Sequence, residues 1–383
     1  MALVEAAMTD KALLNDKYPN LNVFLETTND NISNLTNDRI FHAKCDGAII
    51  AAIAPKCDLY SFFYTSADSC GPWFNKVVNA GCDIVNCSWG HKSKGYNYAF
   101  EPGLYCYYEK ELDEKIVTHK KTVVWAVGND GNVPGCPSNA LNVISVGATD
   151  NNGTTKANYS NVGGNKPDIA ANGAPHIPYI SDPFHTNYGT SFAAPMVTAA
   201  LADLLSKNPS LKLYPEKLAA LLYASADLKK MQTDSAYRAN GMSSYFGSGM
   251  LDVDGLLGSS DRAESITYHP TSTEIKLGER SWGNLSGETL PLRAALVMVN
   301  KYFPVTDFQA PQTLRIPTFK IVVTDTSSSS QGTVVKTVSA RSNTMLLEFD
   351  MQDGHTYKVE FFRCAGSEQN SSNETVAFAV TNR

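Results

Sequence analysis

The sequence predicts an α/β fold, a doubly wound and mostly parallel sheet with helices on both faces, followed by an all-β, sandwich-like unit. Two patterns carry this expectation. Over the first two-thirds of the chain, short unbroken apolar runs alternate with helical stretches, as they do when a parallel sheet is buried on both faces. After Gly258-Ser259-Ser260 the composition shifts to short β-branched and aromatic runs separated by turn clusters, the pattern of a sandwich. The expected units are residues 1–258 and 262–383.

In chain order, residues 58–64 read as a strand, 73–79 as a helix closed by Gly81, and 83–87 as the next strand. Residues 112–119 are helical, and 122–127 and 142–148 are continuous apolar strands. A long helix begins near Ser191. Its Ala193, Ala194, Ala199, Ala200 and Ala202 allow close approach to a sheet, while Leu201, Leu204 and Leu205 fill a core. Asn208-Pro209 ends that helix, and Pro215 opens another running through residue 224. In the second unit, strands are expected at 320–324, 334–338, 344–349, 356–362 and 375–380, with the serine run at 327–330 as a hairpin tip.

Composition narrows the function. The chain has 383 residues, 43% hydrophobic and 18% charged, which argues against disorder, collagen-like repeats and coiled coil. A formal net charge of −6 gives no electrostatic reason to expect a nucleic-acid or anionic-membrane partner. No segment has the apolar length of a membrane span. The first residues, Met1-Ala2-Leu3-Val4-Glu5, lack the basic start and apolar stretch of a signal peptide. The 8 cysteines show no repeated spacing and no CxxC pair, so no metal site is expected; buried free thiols, suited to a reducing compartment, are the plainer reading.

The strongest chemical signal is Tyr188-Gly189-Thr190-Ser191-Phe192-Ala193-Ala194-Pro195. A serine at the start of a helix lies among backbone N–H groups that have no intrahelical acceptor and favour negative charge. Gly189 lets a substrate backbone approach, and a plain serine cap is the bland alternative. Asn129 ends the apolar run Val124-Trp125-Ala126-Val127-Gly128-Asn129. Its side-chain N–H, with the Ser191 N–H, could stabilise an oxyanion, although Asn-Asp-Gly is also an ordinary turn.

The Gly-Thr-Ser-x-Ala-x-Pro run resembles the nucleophile motif of the subtilisin-like serine proteases. Further segments resemble that family in the same order: residues 124–131 with the oxyanion asparagine, Ile84-Val85-Asn86-Cys87-Ser88-Trp89-Gly90 as the substrate-pairing strand, Lys166-Pro167-Asp168-Ile169-Ala170-Ala171-Asn172-Gly173, and Tyr245-Phe246-Gly247-Ser248-Gly249-Met250-Leu251. The resemblance implies a serine endopeptidase acting through an acyl-enzyme on Ser191, with Asn129 in the oxyanion hole. It also implies a general base N-terminal to Asn129. His42 is best placed, at the start of a helix leading through Ala54-Pro55 into the next strand; His91 and His185 sit in no such motif.

The resemblance implies an aspartate at the end of the first strand, where this chain has Glu5. Asp10, Asp38 and Asp46 are alternatives, Asp46 one helical turn from His42. Ala43 and Lys44 stand where the family usually has glycine and threonine, and Asp46 where it is usually apolar. Ser88, Trp89 and Gly90 are expected to wall the cleft, with Ala126, Val127 and Gly128 as its floor and Gly189 and Thr190 beside the serine. A core aromatic is the plain alternative for Trp89.

The expected partner is a peptide or protein in extended conformation, added as a strand, with neither nucleic acid nor membrane. No cofactor is expected; a structural calcium is conceivable, but the loop that often holds it is missing. The departures around His42 also motivate a second reading, an inactive pseudoenzyme that binds a peptide or protein. As the chain stands it reads as cytoplasmic, or as secreted if a signal and propeptide lie upstream.

Overall fold

The computed structural model describes residues 1–26, 36–64, 69–90, 105–177, 179–180, 188–228, 236–301, 316–328, 332–366 and 373–382. The first part is a seven-stranded sheet made of β1 (Ala2–Glu5), β2 (Asn22–Glu26), β3 (Asp58–Phe63), β4 (Ile84–Cys87), β5 (Thr122–Ala126), β6 (Ile144–Thr149) and β7 (Ile169–Asn172). Its spatial order is β2-β3-β1-β4-β5-β6-β7, and every neighbouring pair is parallel. Helices α1 (Lys11–Lys17), α2 (Asn37–Ile53), α3 (Gly71–Asn79), α4 (Tyr107–His119), α5 (Thr190–Lys207), α6 (Pro215–Ser225) and α7 (Val253–Gly258) accompany it.

The unbroken apolar strands are explained by burial on both faces. Along β4 and β5, Ile84, Val124 and Ala126 join the core under α5 and α6. Their neighbours Val85, Val123 and Trp125 point the other way, onto Trp73 and Phe74 of α3 and Leu112 and Ile116 of α4. The chain builds β2 and β3 to one side of β1 and then crosses to build β4 to β7 on the other. A crevice at the carboxyl ends of the strands, beside such a switch point, is where α/β sheets bind ligands.

The second part is a sandwich of two antiparallel sheets. One has the order β13-β10-β15-β8 and the other β12-β11-β14-β9. The strands are β8 (Ala263–Tyr268), β9 (Ile275–Gly283), β10 (Leu290–Met298), β11 (Thr318–Asp325), β12 (Thr333–Arg341), β13 (Thr344–Met351), β14 (Thr356–Arg363) and β15 (Glu374–Asn382). Leu292, Leu296, Met345, Leu347, Phe378 and Val380 fill the space between the sheets. Ala295, Val297, Leu346, Ala377 and Ala379, at alternate positions of the same strands, join the core that contains α5 and α6. The first sheet of the sandwich is thus a shared layer. Buried Arg293 strengthens the join, donating to the Ser248 carbonyl and pairing with Glu348 at 2.8 Å.

The five sandwich strands expected from the sequence correspond to β11 through β15, and β8 to β10 come in addition. One expectation changes at the site: α2 starts at Asn37, capped by Thr36 Oγ1, so His42 lies in its second turn and not at its start. Thr36-Asn37-Asp38 supplies an earlier stop for the backbone N–H groups than the histidine does. His91 and His185 and part of the serine run lie outside the described residues. No helix among the described residues is long and apolar enough to cross a membrane. Each described cysteine is a free thiol, and Cys57 and Cys364 are the two that are not buried.

Because Leu346 is 1% exposed in the shared layer, Leu346→Ala is expected to cost about 2–5 kcal/mol. It should lower the midpoint of one cooperative unfolding transition followed by circular dichroism. Two separate transitions, only one of them moved, would show the two parts to be energetically independent.

Candidate active site

The ends of three adjacent strands meet the start of one helix. Val4 pairs with Cys87 and Cys87 with Trp125, so Glu5, Ser88 and the stretch reaching Asn129 all leave the sheet at the same edge. The N-terminus of α5 packs over β4 and β5 there, and α2 runs alongside α5. Parallel strands make this convergence unavoidable, since all their carboxyl ends lie together.

Ser191 is the second residue of α5, where an N–H has no intrahelical acceptor. The residue is 6% exposed. A Cβ placed on Gly189 would lie 2.8 Å from Ser191 Oγ and 3.2 Å from Asn129 Nδ2, so both atoms border the same small space. Glycine keeps that space open. Asn129 is held from its other end: its Oδ1 accepts the Thr190 N–H and the Thr190 hydroxyl, each at 2.8 Å. An amide anchored through its oxygen turns its N–H groups outward. Gly128, before it, has φ +110°, and a Cβ there would meet Asn161 Nδ2 at 2.5 Å, so a side chain is excluded by conformation and by space.

His42 packs on Phe192, the residue after Ser191, with ring centroids 5.5 Å apart. Its Nδ1 lies 3.4 Å from Glu5 Oε2 and 3.8 Å from Asp46 Oδ2. Among the described residues no hydrogen bond joins His42 to Ser191 Oγ. Such bonds are often long before substrate binds. Burial disfavours the imidazolium, but the charges of Asp46 and Glu5 and a hydrogen bond to Glu5 outweigh it and raise His42 to about 9.

Of the four carboxylates weighed for the acid position, two meet His42 and two do not. Glu5 is 3% exposed; it accepts the Ser88 N–H at 3.1 Å and its own neighbour's, that of Ala6, at 3.3 Å. Asp46 is fully buried, and burial together with the Glu5 charge pushes its carboxyl well above the usual carboxylate range, against the pull of His42. Asp10 caps α1 through the Leu13 N–H and pairs with Lys44 at 3.3 Å. Asp38 is exposed in the first turn of α2.

Several residues expected to touch substrate are turned inward. Ser88 donates its hydroxyl to the Ser191 carbonyl at 2.9 Å, accepts from Asn86 Nδ2 at 2.9 Å, and has its N–H on Glu5. These bonds brace the site. Trp89 stacks on Tyr64 with centroids 4.0 Å apart, its indole N–H donates to the Val4 carbonyl, and its own carbonyl accepts from Trp125. It is a partly buried aromatic packed against the core. Gly90 alone of the three is exposed. Val127 is 1% exposed, with its N–H on Val146 and its carbonyl taken by Ser138. Ala126 is also buried, Gly128 is partly open, and Thr190 is a fully buried clamp on Asn129. Backbone pairing and hydroxyl partners decide these orientations, and neither is visible in a motif.

Two close groups of His, Cys, Asp or Glu side chains occur among the described residues: Glu5, His42 and Asp46, and the wholly buried Cys106, Glu109 and Cys136. In the second, Glu109 already accepts the Cys106 N–H at 2.8 Å and the two sulfurs are 2.6 Å apart.

Comparison with known proteins bears on this geometry. A family model described as "Subtilase family" matches residues 37–249, a span that holds His42, Asn129 and Ser191 and leaves Glu5 outside. Subtilisin DY of Bacillus licheniformis is 27% identical over 217 residues, covering 54% of this chain and 70% of that protein. Among solved structures, the prenylagaramide maturation protease PagA is similar with a TM-score of 0.50 at 21% identity, over 67% of this chain and 92% of that one. That likeness concerns the fold.

The titration of the site predicts the stability profile. A folded-state pKa of His42 near 9, above its ordinary 6.5, contributes stability that is complete below about 6.5 and is lost as pH rises through about 9. The thermal midpoint should fall between pH 6.5 and 9, and less steeply in His42→Ala. An equal slope in the two proteins would remove His42 from the account.

Proposed function

The chain belongs to the subtilase family and is a serine-type endopeptidase, and from that premise we propose that it cleaves peptide bonds through an acyl-enzyme on Ser191, with His42 as base, Glu5 as the acid behind it and Asn129 in the oxyanion hole. The single observation that supports this most is the space beside Gly189, bordered at once by the Ser191 hydroxyl and the Asn129 amide.

In this reading the Ser191 oxygen attacks the scissile carbonyl while its proton passes to His42 Nε2. The negative charge that develops on the former carbonyl oxygen is met by the Ser191 N–H and by Asn129 Nδ2, both held in place before the reaction begins. The imidazolium then protonates the leaving amine, and water, deprotonated by the same ring, releases the acyl group. Glu5 keeps His42 Nδ1 in its N–H form, so that Nε2 is free to accept. The substrate is an extended peptide passing Gly90 on one side and Gly128 and Gly189 on the other, where small residues leave its backbone room.

A fluorescent fluorophosphonate probe is expected to label the full chain and to leave Ser191→Ala unlabelled. Folded protein that resists the probe would turn the reading toward the pseudoenzyme that binds a peptide without cutting it. On a peptide substrate, Asn129→Ala should lower kcat about 10²–10³-fold with KM little changed, a magnitude first obtained on a subtilisin and so not independent of the family. An equal loss in Asn129→Ala and in a surface control such as Asp254→Asn would sink the oxyanion role.

A further inference from the structure

Two carboxyl groups face one imidazole nitrogen. One oxygen each of Glu5 and Asp46 and one His42 ring nitrogen all lie within 4.8 Å of one another. Hydrogen bonds are divided unevenly between the two acids. Glu5 accepts two backbone N–H groups. Asp46 is completely buried, and neither of its oxygens has a hydrogen-bond partner among the described residues. The nearby hydroxyl of Ser88 has its one proton on the Ser191 carbonyl. Lys44, two residues before Asp46, is paired with Asp10. A neutral imidazole would therefore leave two buried negative charges side by side with no cation between them, an arrangement that carboxyl pairs relieve by sharing a proton.

We propose that Asp46 is a positioning residue that keeps its proton and donates its O–H to the Glu5 carboxylate, fixing Glu5 against His42 Nδ1. The proposal rests on the reading of His42 as the base. It satisfies both otherwise unmatched features: the buried Asp46 gains a partner, and Glu5 gains a third donor beside Ser88 and Ala6. Burial and the neighbouring Glu5 charge push the Asp46 carboxyl in the direction this requires. The proton stays on Asp46 throughout; the proton that moves is the one between Ser191 and His42. A neutral Asp46 also leaves a single negative charge facing His42. With both acids charged the ring stays imidazolium up to about 9 and cannot accept from Ser191 near neutral pH; a proton on Asp46 removes that acid's share of the shift.

The test uses the full chain. In infrared difference spectra near neutral pH, the carbonyl stretch of a protonated carboxylic acid is expected in the unmodified protein and absent in Asp46→Asn. In the pH-resolved rate of fluorophosphonate labelling, Asp46→Leu, which fills similar volume without a donor, should be slower than the unmodified protein by about tenfold, the loss of one hydrogen bond to a charged group. Asp46→Asn, whose amide still offers an N–H to Glu5, should recover most of that loss. Absence of the infrared band, Asp46→Asn slower than Asp46→Leu, or Asp46→Leu at the unmodified rate would each overturn the proposal. Should Asp46→Leu fail to fold, the band and Asp46→Asn still decide. Labelling that does not depend on Ser191 would instead strike the active-site reading, and the band reports on Asp46 whichever way that falls.

Discussion

Ser88 stands between the two halves of the site. Its N–H holds Glu5 and its hydroxyl holds the Ser191 carbonyl, while Asn86 and Thr198 extend the chain of buried hydrogen bonds back into α5, the one proton of Thr198 Oγ1 having Asn86 Oδ1 at 2.9 Å and the Ala194 carbonyl at 3.1 Å as its two acceptors. The start of α5 is thereby locked to the end of β4, and the end of β4 to the end of β1. The spacing of Ser191 and Glu5 follows from that lock. A helix packed on a sheet by alanines alone could slide, because small apolar contacts have little direction; buried hydrogen bonds in a medium of low dielectric do have it. The register of Ser191 against Glu5 and Asn129 is set by buried polar groups.

The sandwich extends the same logic of burial. Strands β10, β13 and β15 are apolar at successive positions because one set of side chains faces the second sheet and the other faces α6. Its contacts reach the sheet around β6: Asn142 exchanges hydrogen bonds with the backbone of Asn300, and Asn343 donates to the Leu141 carbonyl. These attachments meet the chain just before β6, at the amino ends of the parallel strands, whereas Gly90 follows the carboxyl end of β4. The physical role they support is rigidity of the face from which α5 and α6 are built.

Much of this was legible in the sequence, and the part that was not has a common cause. The apolar runs located β3 to β6, and the family segments located Ser191, Asn129 and His42, because those signals are local. Strand β10 was passed over because its doubly buried pattern, interrupted by Arg293, alternates with no solvent face. The start of α2 departs from the expectation because its cap, Thr36, lies six residues before His42. The inward turn of Ser88, Val127 and Thr190 could not be read at all: each is decided by a hydrogen-bond partner more than ten residues away. A motif identifies residue types that can do chemistry; which of them face the cleft is settled by competition for backbone partners.

The same competition explains why a glutamate can stand at the end of β1. An aspartate there would carry its carboxylate one methylene less far from the strand. Glu5 reaches His42 with an added torsion, and a longer side chain has more ways to miss. Two backbone N–H groups remove part of that freedom, but both approach from the strand side. What is lacking is a restraint from the side of α2, and the residue of α2 one turn after His42 is Asp46. An apolar side chain at that position would pack against Glu5 without directing it. A buried acid is costly to fold around unless it is neutral and bonded. Among the described residues, the Glu5 carboxylate is an acceptor within reach that would reward its proton. Glutamate at position 5 and aspartate at position 46 are then one adaptation, each departure from the family pattern making the other tolerable.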